Sequence, residues 1–159
     1  MQVSFHMNGI ERSLEVEPLR PAAAYLSDAY KRRARCSDGR CLQCLLLLGG
    51  RVVPACSLPA YRLDGATIHD VEGLGHDELY QAIMRAFDKI GLSRCGGTLP
   101  GLVLLAYQLL TTNAVPPDDE LQETSRHIRS RCVSRDEWER ATRLAGRVWS
   151  RKRSSADGT

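Results

Sequence analysis

Cys36-Ser37-Asp38-Gly39-Arg40-Cys41-Leu42-Gln43-Cys44 is the stretch that decides the fold, because three thiols crowd into one tight loop. A fourth, Cys56, returns after the apolar run Leu45-Leu46-Leu47-Leu48-Gly49-Gly50-Arg51-Val52-Val53-Pro54, which reads as a hairpin turning at Gly49-Gly50. The full spacing is C-x4-C-x2-C-x11-C. Such a loop has to wrap its backbone closely around whatever the thiols hold. Gly39 suits that demand, since a residue without a Cβ takes positive φ and permits close approach.

This is the spacing by which plant-type ferredoxins hold a 2Fe–2S cluster on four thiolates. Cys36, Cys41, Cys44 and Cys56 are therefore the predicted iron ligands, and one-electron transfer is the predicted chemistry. Two rival readings are weaker. A disulfide framework belongs to an oxidising compartment, and the opening Met1-Gln2-Val3-Ser4-Phe5-His6 has neither the basic nor the apolar region of a leader, so the expected location is cytoplasmic. A zinc ribbon favours two separated C-x2-C knuckles, and only Cys41 and Cys44 make such a pair.

Working outward, residues 3–16 read as a β-hairpin. Val3, Phe5 and Met7 alternate, Asn8-Gly9 is a strong two-residue turn signal, and Leu14 and Val16 alternate on the return. Pro21 opens a helical stretch through Tyr30, and another strand is expected near Ala66–Val71. Beyond Gly73 the apolar period shifts to that of a helix: Leu79, Ile83, Phe87 and Ile90 form one stripe, stopped by Gly91. Further helices are expected from Pro100-Gly101, from Pro116-Pro117-Asp118-Asp119, and after a Ser134 cap, where Trp138, Leu144 and Val148 face inward. The predicted class is α+β: an N-terminal β-grasp, plant-type ferredoxin domain over 1–73, a small four-helix bundle over 74–150, and a disordered tail over 151–159.

Composition excludes several functions. The chain has 159 residues, 43% apolar and 26% charged, and no apolar run approaches a membrane span, so no membrane insertion is expected. A net charge of +3 and few aromatic residues give no case for nucleic acid. Cations are concentrated at the cysteine loop: Lys31, Arg32, Arg33, Arg35, Arg40 and Arg51, with Asp38 the single acid among them. A reduced cluster is more anionic, so these cations should favour it. One charge at ~8 Å in an effective dielectric of ~20 contributes at most about 2 kcal/mol, cut further by salt. The expected potential lies above the roughly −400 mV of plant-type ferredoxins. Docking of an acidic partner is the alternative use of the same cations. His6, His69 and His76 have no metal-ligand spacing and read as surface or capping residues. No acid, base or nucleophile in catalytic arrangement is evident, so the substrate is expected to be handled by another chain.

The order of motifs resembles the small iron–sulfur subunit of the molybdenum hydroxylases, the xanthine dehydrogenase and carbon monoxide dehydrogenase family. The resemblance runs from Val3-Ser4-Phe5-His6-Met7-Asn8-Gly9 to about Ala145. It includes the cysteine loop, Pro54-Ala55-Cys56, Thr67-Ile68-His69-Asp70-Val71-Glu72-Gly73-Leu74 and Cys95-Gly96-Gly97-Thr98-Leu99-Pro100-Gly101. It implies an electron relay between molybdopterin on a large subunit and flavin on a medium one, through two 2Fe–2S clusters. The second cluster of the family uses C-x2-C and C-x-C, but here the pairs are Cys95 with Thr98 and Ser130 with Cys132. Arg94 stands where the family commonly has a glutamine that contacts the pterin, and Leu42 replaces a glycine usual after the second ligand.

Hydroxyls are poor ligands for a thiolate-preferring core, and nothing directs His127 inward as a substitute. Cys95 and Cys132 are thus read as an empty remnant, serving as small buried apolar residues or lying close enough for a thiol pair. Without the second cluster the relay from molybdenum lengthens. Three functions follow: an electron-transfer subunit with one cluster in a multi-subunit oxidoreductase of this plan, a ferredoxin-like partner of a flavoenzyme lacking molybdopterin, or a mainly structural subunit.

Overall fold

The computed structural model describes residues 1–33 and 35–158, and it divides into two units, Met1–Leu74 and Gly75–Thr159. In the first, β1 (Gln2–Met7) buries Val3, Phe5 and Met7 and exposes the residues between them, as the alternation predicts. Asn8 (φ 53°) and Gly9 (φ 80°) both take positive φ, the conformation of a two-residue turn that matches strand twist. The turn returns the chain as β2 (Ile10–Glu15), paired antiparallel from Gln2↔Glu15 to Met7↔Ile10. A second hairpin joins β3 (Leu45–Leu48) to β4 (Arg51–Pro54) through Gly49 and Gly50, also both at positive φ. β5 (Thr67–His69) lies between the hairpins, parallel to β1 and antiparallel to β3. The sheet order is β2-β1-β5-β3-β4.

One correction concerns the stretch after Pro21. It is two short helices, α1 (Ala23–Leu26) and α2 (Asp28–Arg33), broken at Ser27, whose φ of −164° and ψ of 167° are extended. The Ser27 hydroxyl accepts from Tyr30 N (3.4 Å), so a short polar side chain has replaced one helical turn with a fresh cap. Both helices contribute buried residues to the core of this unit. Phe5, Leu26, Tyr30, Leu46, Leu63 and Ile68 form the core with Cys44 and Cys56, so two of the four thiols belong to the hydrophobic interior. The end of the sheet is pinned by Asn8 and Asp70: Asn8 Nδ2 donates to Asp70 Oδ1 (2.8 Å) and Asp70 N donates to Asn8 Oδ1 (3.1 Å).

The second unit consists of helices. α3 (Glu78–Ile90) is capped by Asp77, which accepts from Tyr80 N, and ends at Gly91 with φ 90°. It buries Leu79, Ile83 and Phe87 of the predicted stripe, while Ile90 is half-buried. α4 (Leu99–Thr112) is buried along most of its length. α5 (Asp118–Ser125) follows, and α6 (Arg135–Asp157) packs along α3, α4 and α5. Ser134 and Glu137 form a reciprocal capping box at the start of α6. Buried Trp138 donates from Nε1 to Leu102 O (3.0 Å), tying α6 to α4. Leu144 and Val148 were expected to face inward, but Leu144 is half-buried and Val148 is 46% exposed.

A second correction lies at the end of the chain. Residues 151–157, expected as a frayed tail, continue α6 to Asp157, with Lys152 Nζ 2.8 Å from Glu78 Oε1. Arg, Lys, Ser and Ala are all tolerated in a helix, and nothing before Gly158 stops it. Thr159 lies outside the described residues.

Candidate functional site: the cysteine loop

The end of α2, the turn into β3 and the residues after β4 bring the four cysteines of the first unit to one end of the core. They stand as two pairs. In the outer pair, Cys41 N donates to Cys36 Sγ (3.3 Å), and both residues are half-buried. In the inner pair, Cys56 N donates to Cys44 Sγ (3.4 Å), and both are buried. None of the four forms a disulfide among the described residues. Among the described residues no three His, Cys, Asp or Glu side chains gather around a single-ion position.

The backbone is bent to make this possible. Ser37 (φ 57°), Gly39 (φ 77°) and Leu42 (φ 59°) all lie in the left-handed region. Gly39 is required twice over: besides its φ, a Cβ there would stand 2.9 Å from Pro54 Cγ, so the loop is seated directly on the end of β4. Leu42 is the unexpected member. It occupies the position read as a usual glycine, keeps the glycine-like φ, and is 6% exposed, so burial of its side chain offsets a backbone cost of about 1–2 kcal/mol. Beneath the loop, buried Tyr30 donates from its hydroxyl to Leu45 O (3.4 Å), and Ala55 N donates to Cys44 O (3.0 Å).

Burial raises Cys36, Cys41 and Cys56, and neighbours then separate them. At Cys36 burial is outweighed by donation from the backbone N–H groups of Cys41 and Asp38, which holds the thiol below its ordinary value. At Cys41 burial wins, aided by Cys36, despite donation from Gln43 N–H. Burial and adjacent Cys44 push Cys56 up to about 12. These are properties of the metal-free thiols. Burial disfavours these thiolates unless a cation shares them, the backbone donors aimed at Cys36 and Cys44 favour the anionic sulfur, and iron would be the cation. A cavity of about 200 Å3 lined by Pro21, Ala23, Ala24, Lys31, Ser37 and Cys56 opens beside the loop. Donor set, N–H groups and backbone approach together fit a 2Fe–2S centre, which Cys36, Cys41, Cys44 and Cys56 could hold.

The cations expected at the loop are partly neutralised, and Arg51 stands at the Gly49-Gly50 end of the hairpin, away from the Leu45↔Pro54 end that carries the cysteines. Lys31 pairs with Asp28 (3.2 Å) and Arg40 Nε with Asp38. Arg32, Arg35 and Arg51 make no ion pair among the described residues, and the Arg33 side chain lies outside them. His6 and His76 are exposed and His69 is half-buried.

In the second unit, Cys95 follows a 3-10 turn (Leu92–Arg94) and accepts from Thr98 N (3.0 Å) and Leu99 N (2.9 Å) at its carbonyl. Cys95 and Cys132 are joined in a disulfide. Ser130 Oγ lies 3.2 Å from Cys95 Sγ and 3.3 Å from Cys132 Sγ. Cys95 is buried as expected, but Cys132 is exposed, so the reading of both as buried apolar residues holds only for the first. His127 is exposed. The sequence marks Arg94 only as a departure from the family pattern. Its guanidinium donates to Glu137 Oε1 (2.8 Å) and to Gly91 O, fixing the turn before Cys95 to the capping box of α6. The S-x-x-E spacing of Ser134 and Glu137 signalled the box, but nothing local signalled the arginine.

No family model matches the chain. Individual relatives do. It is 30% identical over 122 residues to the nicotinate dehydrogenase small FeS subunit of Eubacterium barkeri, covering 75% of this chain and 78% of that one. This chain belongs to the 2Fe–2S small-subunit family of the molybdenum hydroxylases. This iron–sulfur subunit is also 34% identical over 134 residues to the aldehyde oxidoreductase of Megalodesulfovibrio gigas, covering 79% of this chain but only 14% of that much longer protein. Among solved structures it superposes on quinoline 2-oxidoreductase from Pseudomonas putida 86 with a TM-score of 0.80 and 26% identity, covering 95% of this chain and 96% of that one. On the Desulfovibrio gigas aldehyde oxidoreductase the TM-score is 0.79 with 30% identity, covering 96% of this chain and 17% of that one. Among the described residues no helix is long and apolar enough to cross a membrane.

Proposed function

We propose that this chain is the electron-transfer subunit of a multi-subunit oxidoreductase built on the molybdenum-hydroxylase plan, carrying one 2Fe–2S cluster on Cys36, Cys41, Cys44 and Cys56. In this reading the first unit is a β-grasp ferredoxin domain, the helical unit is a bundle without a cluster, and single electrons pass to or from flavin on a partner subunit. The observation that carries it is the pairing of four thiols, each pair tied by a backbone N–H to sulfur bond, in a loop forced through positive φ. When bound, a 2Fe–2S centre supplies reversible one-electron chemistry. The residues divide the remaining work. The buried inner pair, Cys44 and Cys56, anchors the site in the core and keeps water from it. The half-buried outer pair, Cys36 and Cys41, faces the surface and is the edge at which a partner exchanges electrons.

A second reading, a ferredoxin-like partner of a flavoenzyme without molybdopterin, draws support from Arg94. Its side chain is committed to Glu137 and Gly91 within its own unit. Purifying the intact complex and assaying molybdenum and flavin separates the two. Flavin with molybdenum, and reduction of the chain's visible chromophore by the complex's substrate, supports the first reading. Flavin without molybdenum supports the second. A chromophore that no partner reduces would leave only a structural role.

A further inference from the structure

The Cys95–Cys132 bond closes 37 residues of sequence with a Cα–Cα separation of 5.7 Å, inside the roughly 4.4–6.8 Å that a disulfide spans. Its two sulfur-bearing residues differ sharply in access. Cys95 is 4% exposed, whereas Cys132 lies on the surface. Ser130 Oγ is within hydrogen-bonding distance of both sulfurs and also accepts from Cys132 N (3.3 Å). The surrounding segment, His127-Ile128-Arg129-Ser130-Arg131-Cys132-Val133-Ser134, contains no acid. Arg129 and Arg131 are exposed on either side of Ser130. Exposed cations beside an exposed disulfide sulfur attract anionic thiols and stabilise the thiolate that attacks.

We propose that the Cys95–Cys132 disulfide is a thiol-exchange site for an anionic low-molecular-weight thiol of the glutathione class, entered at Cys132. The incoming thiolate forms a new S–S bond with Cys132 Sγ as the Cys95–Cys132 bond breaks. The electron pair leaves on Cys95 Sγ, which takes up the proton the incoming thiol has lost, while the Ser130 hydroxyl donates a hydrogen bond to the departing sulfur. A second thiol attacks the external sulfur of the mixed disulfide, releasing the Cys132 thiolate and one external disulfide. Two external thiols are thereby oxidised, and the protein gains two thiols by taking up two electrons and two protons. The proposal rests on the single-cluster reading of the helical unit, because sulfurs bonded to each other cannot both ligate iron.

The test uses the full chain purified without reductant, with iron counted in the same sample. Reduced glutathione is added, the reaction is quenched with an alkylating reagent, and each cysteine is mapped by peptide mass. The expected adduct is on Cys132 and not on Cys95, and it is absent in Cys132→Ser. Exchange with glutathione should outpace a neutral thiol severalfold at low salt and lose that advantage at high salt. Ser130→Ala should slow exchange about tenfold to a hundredfold, the loss of one hydrogen bond to a charged sulfur. An adduct on Cys95, an inert disulfide, or equal rates for charged and neutral thiols would overturn the proposal. Two irons with an inert disulfide would overturn the exchange site alone. Four irons would overturn both it and the single-cluster reading.

Discussion

Replacing Gly39 by alanine should cost far more than replacing Gly65, although both glycines sit at positive φ (77° and 67°). At Gly65 nothing lies within 4 Å of the added Cβ, so the penalty is conformational. A left-handed backbone costs an alanine about 1–2 kcal/mol, and roughly half is returned because alanine restricts the unfolded chain. At Gly39 the same terms apply, and the Cβ would also stand 2.9 Å from Pro54 Cγ and 3.2 Å from Pro54 Cβ. Pro54 is paired with Leu45 at the end of the hairpin and cannot swing aside as a flexible side chain would. Overpacking of that kind adds about 1–3 kcal/mol. The contact should therefore appear as a further loss of about 1–3 kcal/mol in Gly39→Ala relative to Gly65→Ala. Urea unfolding of the full chain, read by amide exchange in residues 1–74, measures the difference, and iron uptake on reconstitution should fall in parallel. Equal stabilities within about 0.5 kcal/mol would refute the claim that the loop is seated on Pro54.

Three other perturbations test separate parts of the account. Cys44→Ser should abolish or displace the visible spectrum, while Cys132→Ser should leave it intact; absorbance of the purified chains decides. Gly146→Ala would normally favour a helix by about 1 kcal/mol. Here its Cβ would meet Ala114 O at 2.2 Å and Leu110 Cδ2 at 2.9 Å, so the helix gain is cancelled and a net loss of up to about 2 kcal/mol is expected in thermal unfolding of the helical unit. Tyr107 is pushed up to about 12 by burial and by Asp77, to whose Oδ2 its hydroxyl donates (3.0 Å). A raised folded value means that this contribution is complete below the ordinary value of 10.0 and is lost as pH rises through about 12. Denaturation at stepped pH should show that decline in the parent, and Tyr107→Phe should flatten it.

Much of this was legible because the sequence signals were local. Asn8-Gly9 and Gly49-Gly50 supply the positive φ of two hairpins, and Gly91 and Ser134 mark helix ends that the structure keeps. The convergence of the four loop cysteines is legible from spacing, since three of them share one short stretch and the fourth returns on a hairpin. What was missed depends on distant or competing contacts. The break at Ser27 is a contest between one helical turn and a side-chain cap, and periodicity does not resolve it. The left-handed Leu42 is sustained by burial rather than by propensity. Arg94 and Glu137 meet across 43 residues, and the Ser130 hydroxyl lies between two sulfurs whose pairing the sequence offers only as one of two alternatives. The helical end at 151–157 is hidden in the sequence because a basic, serine-containing terminus resembles a tail while remaining fully compatible with helix.

Iron and acid-labile sulfide per chain, counted on anaerobically purified protein together with the spin signal after one-electron reduction, test the central claim most directly. The account predicts two irons, two sulfides and one paramagnetic centre, held by the cysteine loop of the first unit. A chain without iron, or one carrying four irons and two signals, would contradict it.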